Sequence, residues 1–128
     1  MKDWMIPLAV GLGGGVGSMA RYTLGTLCAR LPWAFPWGTL AVNVLGGFAI
    51  GGLFYLSQRR PEWALALRVW AITGFCGGFT TFSAFSLETL QLWSQGAQGK
   101  ALVNVLANLA LSLAAVATGM ACVRRLMA

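Results

Sequence analysis

The sequence predicts an all-α integral membrane protein, four closely packed transmembrane helices in a single domain over residues 1–128, and three observations carry that prediction. The chain is 58% apolar and only 9% charged, whereas a soluble domain usually has about a quarter of its residues charged. Residues 4–20, 31–58, 69–87 and 101–123 contain no Asp, Glu, Lys or Arg, and a span needs roughly 20 apolar residues to cross a hydrocarbon core of about 30 Å. The 17 glycines recur on single helix faces, where small residues let helix backbones approach closely inside a membrane. The spans are expected at about 4–29, 38–57, 68–94 and 101–123.

Span one opens with Lys2 and an apolar run, as a signal peptide does, but stays helical-looking to about Ala29, too long for a cleaved signal. Gly13, Gly17 and Arg21 fall at i, i+4 and i+8 and share one face. The glycine pair reads as close packing. Arg21 has two readings: an ionisable residue that marks a functional route, or one that snorkels to the nearby interface.

Pro32, Trp33, Pro36 and Trp37 form a turn at the membrane surface, where proline stops the helix and tryptophan sits among headgroups. Span two then begins with Thr39 and Asn43, again four apart, and continues with Gly47 and Gly51. Asn43 is costly in hydrocarbon unless its amide is bonded, so it must meet another helix or a wet path.

Span three holds Thr73-Gly74-Phe75-Cys76-Gly77-Gly78-Phe79-Thr80-Thr81-Phe82-Ser83-Ala84-Phe85-Ser86. Glycines, hydroxyl residues and phenylalanines in this density disfavour a continuous helix, so a break near the centre is expected at Gly77-Gly78. Unwound backbone at membrane depth survives only inside protein or along a cavity, and half-helix ends with free carbonyls are a recurrent way to build ion sites. Glu88 follows as the one acid expected at membrane depth. In span four, Asn104, Asn108 and Ser112 repeat the i, i+4, i+8 pattern, a polar stripe about 12 Å long that reads as one wall of a hydrated path.

Neutral hydrogen-bonding residues on three spans, beside a broken fourth, point to permeation. Asn, Ser and Thr donate N–H and O–H bonds to an anion or offer oxygens to a cation, and the scarcity of acids on these faces favours an anion. Phe82 and Phe85 fit that choice, because the edge of an aromatic ring is positive. Four short helices hardly enclose both a pore and its packing shell, so an oligomer is expected, with a two-fold dimer the commonest solution.

Several alternatives are excluded or weakened. The chain has no His, which removes the usual zinc patterns and His-based catalysis; paired carboxylates and a nucleophile with a base nearby are also missing from the pattern. Cys28, Cys76 and Cys122 are too few and scattered for a disulfide framework. A small exporter of drug cations would rely on an acid within span one, where only Asp3 stands at the very start. A purely structural subunit explains the glycines but not the polar stripes. The net charge of +6 speaks first to orientation and lipid anchoring. Lys2, Arg59, Arg60, Arg68, Arg124 and Arg125 lie on one side, against Arg30, Lys100 and arguably Arg21 on the other, which places both termini inside.

The run from Gly74 to Ser86 resembles the signature of the Fluc-type fluoride channels, the CrcB family. Gly13-Gly14-Gly15-Val16-Gly17 leading to Arg21-Tyr22, Gly38-Thr39-Leu40-Ala41-Val42-Asn43, and the Asn104, Asn108, Ser112 stripe are similar to that family as well, in the same order over the whole chain. The resemblance implies an antiparallel, dual-topology dimer in the bacterial inner membrane that exports fluoride passively through two pores and so lowers fluoride toxicity. It implies that Phe82 and Phe85 line the pores and that Asn43 and Ser83 donate hydrogen bonds, with Thr39, Asn104, Asn108 and Ser112 also on the anion pathway. It implies Arg21 at a vestibule and a structural sodium ion held by the backbone carbonyls of Gly77 and Thr80. Fluoride is small and strongly hydrated, and a donor-lined track replaces its water at close quarters. Position 84 is Ala where the motif usually has Thr, which implies altered conductance with function kept. The uneven basic residues leave open both a homodimer and a heterodimer with an oppositely oriented homologue.

Overall fold

A computed structural model of the chain describes residues 2–31 and 34–128; the Pro32-Trp33 half of the expected surface turn lies outside them. The described elements are helical: α1 (Met5–Cys28), α2 (Trp37–Arg59), α3 (Pro61–Ala66), a π-helical stretch (Leu67–Cys76), α4 (Gly77–Phe79), α5 (Phe82–Ser94) and α6 (Gln98–Leu126). Pro36 stands at the start of α2, where its missing N–H is harmless. Gly96, with φ of 79°, closes α5 in a left-handed turn that glycine adopts without strain.

Three helical stretches among the described residues are long and apolar enough to cross a membrane: Trp37–Arg59, Pro61–Ser94 and Gln98–Leu126. The third contains α3, the π-helical stretch, α4 and α5. The sequence expectation was four. α1 has the length, at 24 residues, but its glycines and Arg21 dilute its hydropathy below that of the other three. Its place in the bundle rests on packing instead.

That packing is set by glycine. α1 lies against the π-helical stretch and α4. A Cβ on Gly13 would sit 2.6 Å from the Trp70 carbonyl oxygen, and one on Gly17 would collide with the carbonyl of Phe75. The Gly13–Gly17 seam expected from spacing is therefore a backbone-to-backbone contact. On the other side, α2 packs along α6. Gly47 faces the Ser112 carbonyl, Gly51 meets that of Val116, and Gly119 meets that of Phe48. Contacts that rise together along both helices make α2 and α6 parallel, with their C-termini at one end.

Gly119→Ala therefore places a methyl against a main-chain oxygen that cannot swing away. We expect a loss of about 1–3 kcal/mol, read as a lower thermal midpoint in detergent. Gly99→Ala, where a Cβ meets nothing within 4 Å, leaves the midpoint at or above that of the wild type. Equal midpoints for the wild type and Gly119→Ala would contradict the close seam.

The break in the third stretch comes later than the glycines suggest. Gly77 is helical (φ −62°, ψ −38°), and Gly78 stays helical because its bare Cα is needed against the Gly14 carbonyl on α1. Tertiary packing thus overrides the low helix propensity of glycine. The backbone becomes extended at Thr80 (φ −84°, ψ 161°) and Thr81 (φ −153°, ψ 122°). Thr81 then starts the next helix, its Oγ1 accepting the Ala84 N–H at 3.1 Å. A threonine N-cap of this kind is worth about 1 kcal/mol.

Candidate functional site

The break is held by a side chain of α2. Asn43 Nδ2 donates to the Thr81 carbonyl at 3.1 Å, and the Thr81 N–H donates to Asn43 Oδ1 at 2.9 Å. One amide thus replaces both partners that a continuous helix would have supplied to Thr81. Asn43 Nδ2 also donates to Asn108 Oδ1 at 2.9 Å. Asn108 Nδ2 donates in turn to Asn104 Oδ1 at 2.9 Å and to the Asn104 carbonyl at 3.0 Å. Asn104 Nδ2 reaches Thr89 Oγ1 at 2.9 Å, and that hydroxyl donates to the Phe85 carbonyl at 2.7 Å. A ladder of amides and a hydroxyl therefore runs from the break, across α2 and α6, into α5.

In front of the ladder lies a cleft of about 350 Å³, with Asn43, Thr81, Phe82, Phe85, Asn108 and Ser112 in its lining. Phe82 is 73% exposed and Phe85 only 7%. Their ring centroids are 5.3 Å apart at an interplanar angle of 57°, a tilted pair that turns ring edge towards ring face. Gly46, Gly47, Ile50, Thr80, Leu109 and Leu113 complete the lining. The cleft is polar at its floor, aromatic on one wall and otherwise apolar.

The structure brings together Asn43, Phe82, Phe85, Asn108 and Ser112 at this cleft. Asn104 is completely buried as the next rung of the ladder. Ser83 is exposed, with its hydroxyl 3.3 Å from Thr81 Oγ1. Thr39 stands apart: its hydroxyl donates to Glu88 Oε1 at 2.7 Å, in a separate cavity of about 330 Å³ that Gly25, Pro36 and Trp37 also line. Arg21 donates from Nη1 to the Thr80 carbonyl at 3.3 Å, so it sits at the break. Two residues of the ladder escaped the sequence reading. Thr81, the cap and clamp point, was legible as a threonine just before a helical run. Thr89 falls four residues after Phe85, on the face it shares with Phe82 and Phe85, and that spacing was its one signal.

A structural sodium needs hard oxygen donors, and hydrogen bonds at the break show which carbonyls are available. The N–H of Thr81, which would bond the Gly77 carbonyl in a continuous helix, goes to Asn43. The N–H of Ala84, which would bond that of Thr80, goes to Thr81 Oγ1. Both carbonyls named from the sequence thus lose their helical partners, and oxygens of this kind suit a hard cation. The Gly77 carbonyl suits the ion, whereas that of Thr80 already accepts from the Arg21 guanidinium, which would have to turn away before a sodium ion could bind there.

Apolar helices gathered around a buried amide ladder, with a polar cleft beside a broken helix, define an all-helical, multi-pass membrane protein. The chain belongs to the CrcB family: the family described as "CrcB-like protein, Camphor Resistance (CrcB)" matches residues 8–120. The chain is 49% identical over 118 residues to a "Fluoride-specific ion channel FluC" of Rhizobium etli (strain CIAT 652), covering 91% of this chain and 94% of that one. It is 47% identical over 124 residues to the protein so named in Agrobacterium fabrum, covering 95% and 99%. With that of Bordetella bronchiseptica it shares 42% identity over 120 residues, covering 94% and 92%.

Proposed function

We propose that this chain is a fluoride channel, with four spans including α1, that works as an antiparallel dimer in a bacterial inner membrane. The observation that carries the reading is the cleft beside Phe82, whose ring is 73% exposed next to a hydrogen-bonded polar floor. A second copy laid across this face closes the cleft into a pore and covers the phenylalanine, and two-fold symmetry makes two such pores. The names of the relatives supply fluoride as the ion.

Within that reading, Phe82 and Phe85 border the route with their ring edges, and Ser83 and Ser112 offer hydroxyls to the ion. Asn43, Asn104 and Asn108 form the polar floor and hold its shape, and Thr39 belongs to the end marked by Glu88. Arg21 adds positive charge beside the break and helps draw the anion in. Gly77 and Thr80, by their carbonyls, would hold the structural sodium, which supplies compensating charge between subunits. Flow is passive, since no nucleotide-binding pattern is present in the sequence, and export relieves fluoride toxicity.

The test is efflux from liposomes that contain only this purified chain. We expect rapid loss of fluoride with chloride retained. Equal flux of the two ions from folded protein would refute fluoride selectivity. Silence that a co-reconstituted, oppositely oriented homologue relieves would replace the homodimer with a heterodimer.

A further inference from the structure

The parallel course of α2 and α6 brings their C-terminal ends to one face of the bundle, away from the cleft. A notch of about 300 Å³ opens there between the helices, with Tyr55, Ala117, Met120, Ala121 and Arg124 in its lining. Arg59 lies over the Tyr55 ring, with its guanidinium carbon 5.3 Å from the centroid. Its Nε donates to the Tyr55 hydroxyl at 3.1 Å. The hydroxyl accepts in that bond, so its own proton is left to donate elsewhere. Neither Arg59 nor Arg124 pairs with an acid: among the described residues the one ion pair joins Arg60 and Glu62.

We infer that this notch is a binding site for an anionic phospholipid. Its polarity is ordered as a lipid is ordered. Arg124 and the Tyr55 hydroxyl stand at the outer end, where phosphate lies. Ala117, Met120 and Ala121 line α6 one to two turns inward, and two alanines four apart leave a furrow for an acyl chain. Arginine binds phosphate by paired, charge-assisted hydrogen bonds, and the tyrosine proton adds one more. A simpler reading is that basic residues at helix C-termini only match the helix dipole. That reading accounts for the arginines but not for the apolar furrow beneath them or the tyrosine held by Arg59.

Delipidated protein in detergent is offered equal amounts of phosphatidylglycerol and phosphatidylcholine with identical chains, and retained lipid is counted by native mass spectrometry. We expect phosphatidylglycerol to be kept over phosphatidylcholine by about tenfold, one charged hydrogen bond's worth. Arg124→Gln should abolish the preference and Tyr55→Phe should weaken it. Ala121→Phe, which fills the furrow and keeps every charge, should lose the lipid, whereas Arg125→Gln should retain it. Equal retention of the two lipids by the wild type would overturn the site, and so would equal losses from Arg124→Gln and Arg125→Gln. Displacement by inorganic phosphate would overturn the lipid as ligand. If Ala121→Phe elutes as aggregate, Arg124→Gln against Arg125→Gln decides alone, since both lie on the surface.

Discussion

Asn43→Leu should destabilise the chain severely and make it prone to aggregate. The amide of Asn43 answers three groups at once: the Thr81 carbonyl, the Thr81 N–H and Asn108 Oδ1. Leucine fills similar space and satisfies none of them. Thr81 is 8% exposed and Asn108 5%, so water does not step in. Each buried group left unpaired costs about 1–3 kcal/mol, and three together cost on the order of 4 kcal/mol. Against a total stability of about 5–15 kcal/mol, that removes between about a quarter and four-fifths of the margin. The expected result is a broad, aggregated profile on size exclusion and no fluoride efflux. A monodisperse Asn43→Leu protein with the wild-type melting point would show that the break needs no clamp.

Phe82→Ile should do the opposite, leaving the fold intact and slowing the flow. The ring is 73% exposed and makes its recorded aromatic contact with Phe85 alone, so little of the isolated chain's core depends on it. Isoleucine is similarly apolar but has no positive edge to present to an ion that has shed its water. Losing an aromatic interaction of about 1.4 kcal/mol slows passage tenfold, and in the proposed dimer the substitution falls on both pores. Efflux should fall by about tenfold or more, with unchanged elution and melting. Wild-type flux through Phe82→Ile would remove Phe82 from the pathway and leave the cleft as a packing defect.

Much of this molecule was legible from spacing alone. Period and composition exposed the apolar helices, the Gly13–Gly17 seam and the polar faces around Asn43, Asn104 and Asn108. A helical period says which residues share a face, but not what that face touches. It could therefore not say that the amides spend their hydrogen bonds on one another, or that Thr89 ends the ladder. The break was expected at Gly77-Gly78 because glycine is a poor helix former, yet close contact with α1 keeps those glycines helical and shifts the opening to Thr80 and Thr81. Weak propensity marks where a helix can open; the partner that receives the freed backbone decides where it does. The π-helical Leu67–Cys76 had no counterpart in the sequence reading, since one extra residue per turn leaves no trace in composition. Three of the four expected spans stand out by length and apolarity for a related reason: the glycines that suit α1 to close packing make it less apolar.

The clamp on the broken helix has a consequence for how the chain is made. Segments enter a bilayer in order of synthesis, and α2 precedes the stretch it must hold open. When Thr80 and Thr81 reach the lipid, Asn43 is already there to receive them, so the break never has to wait unpaired in hydrocarbon. α6 arrives last and brings Asn108, which turns a provisional bond into a closed ladder. A chain that lacked α6 would keep the Asn43–Thr81 pair and lose the Asn108 half of the ladder.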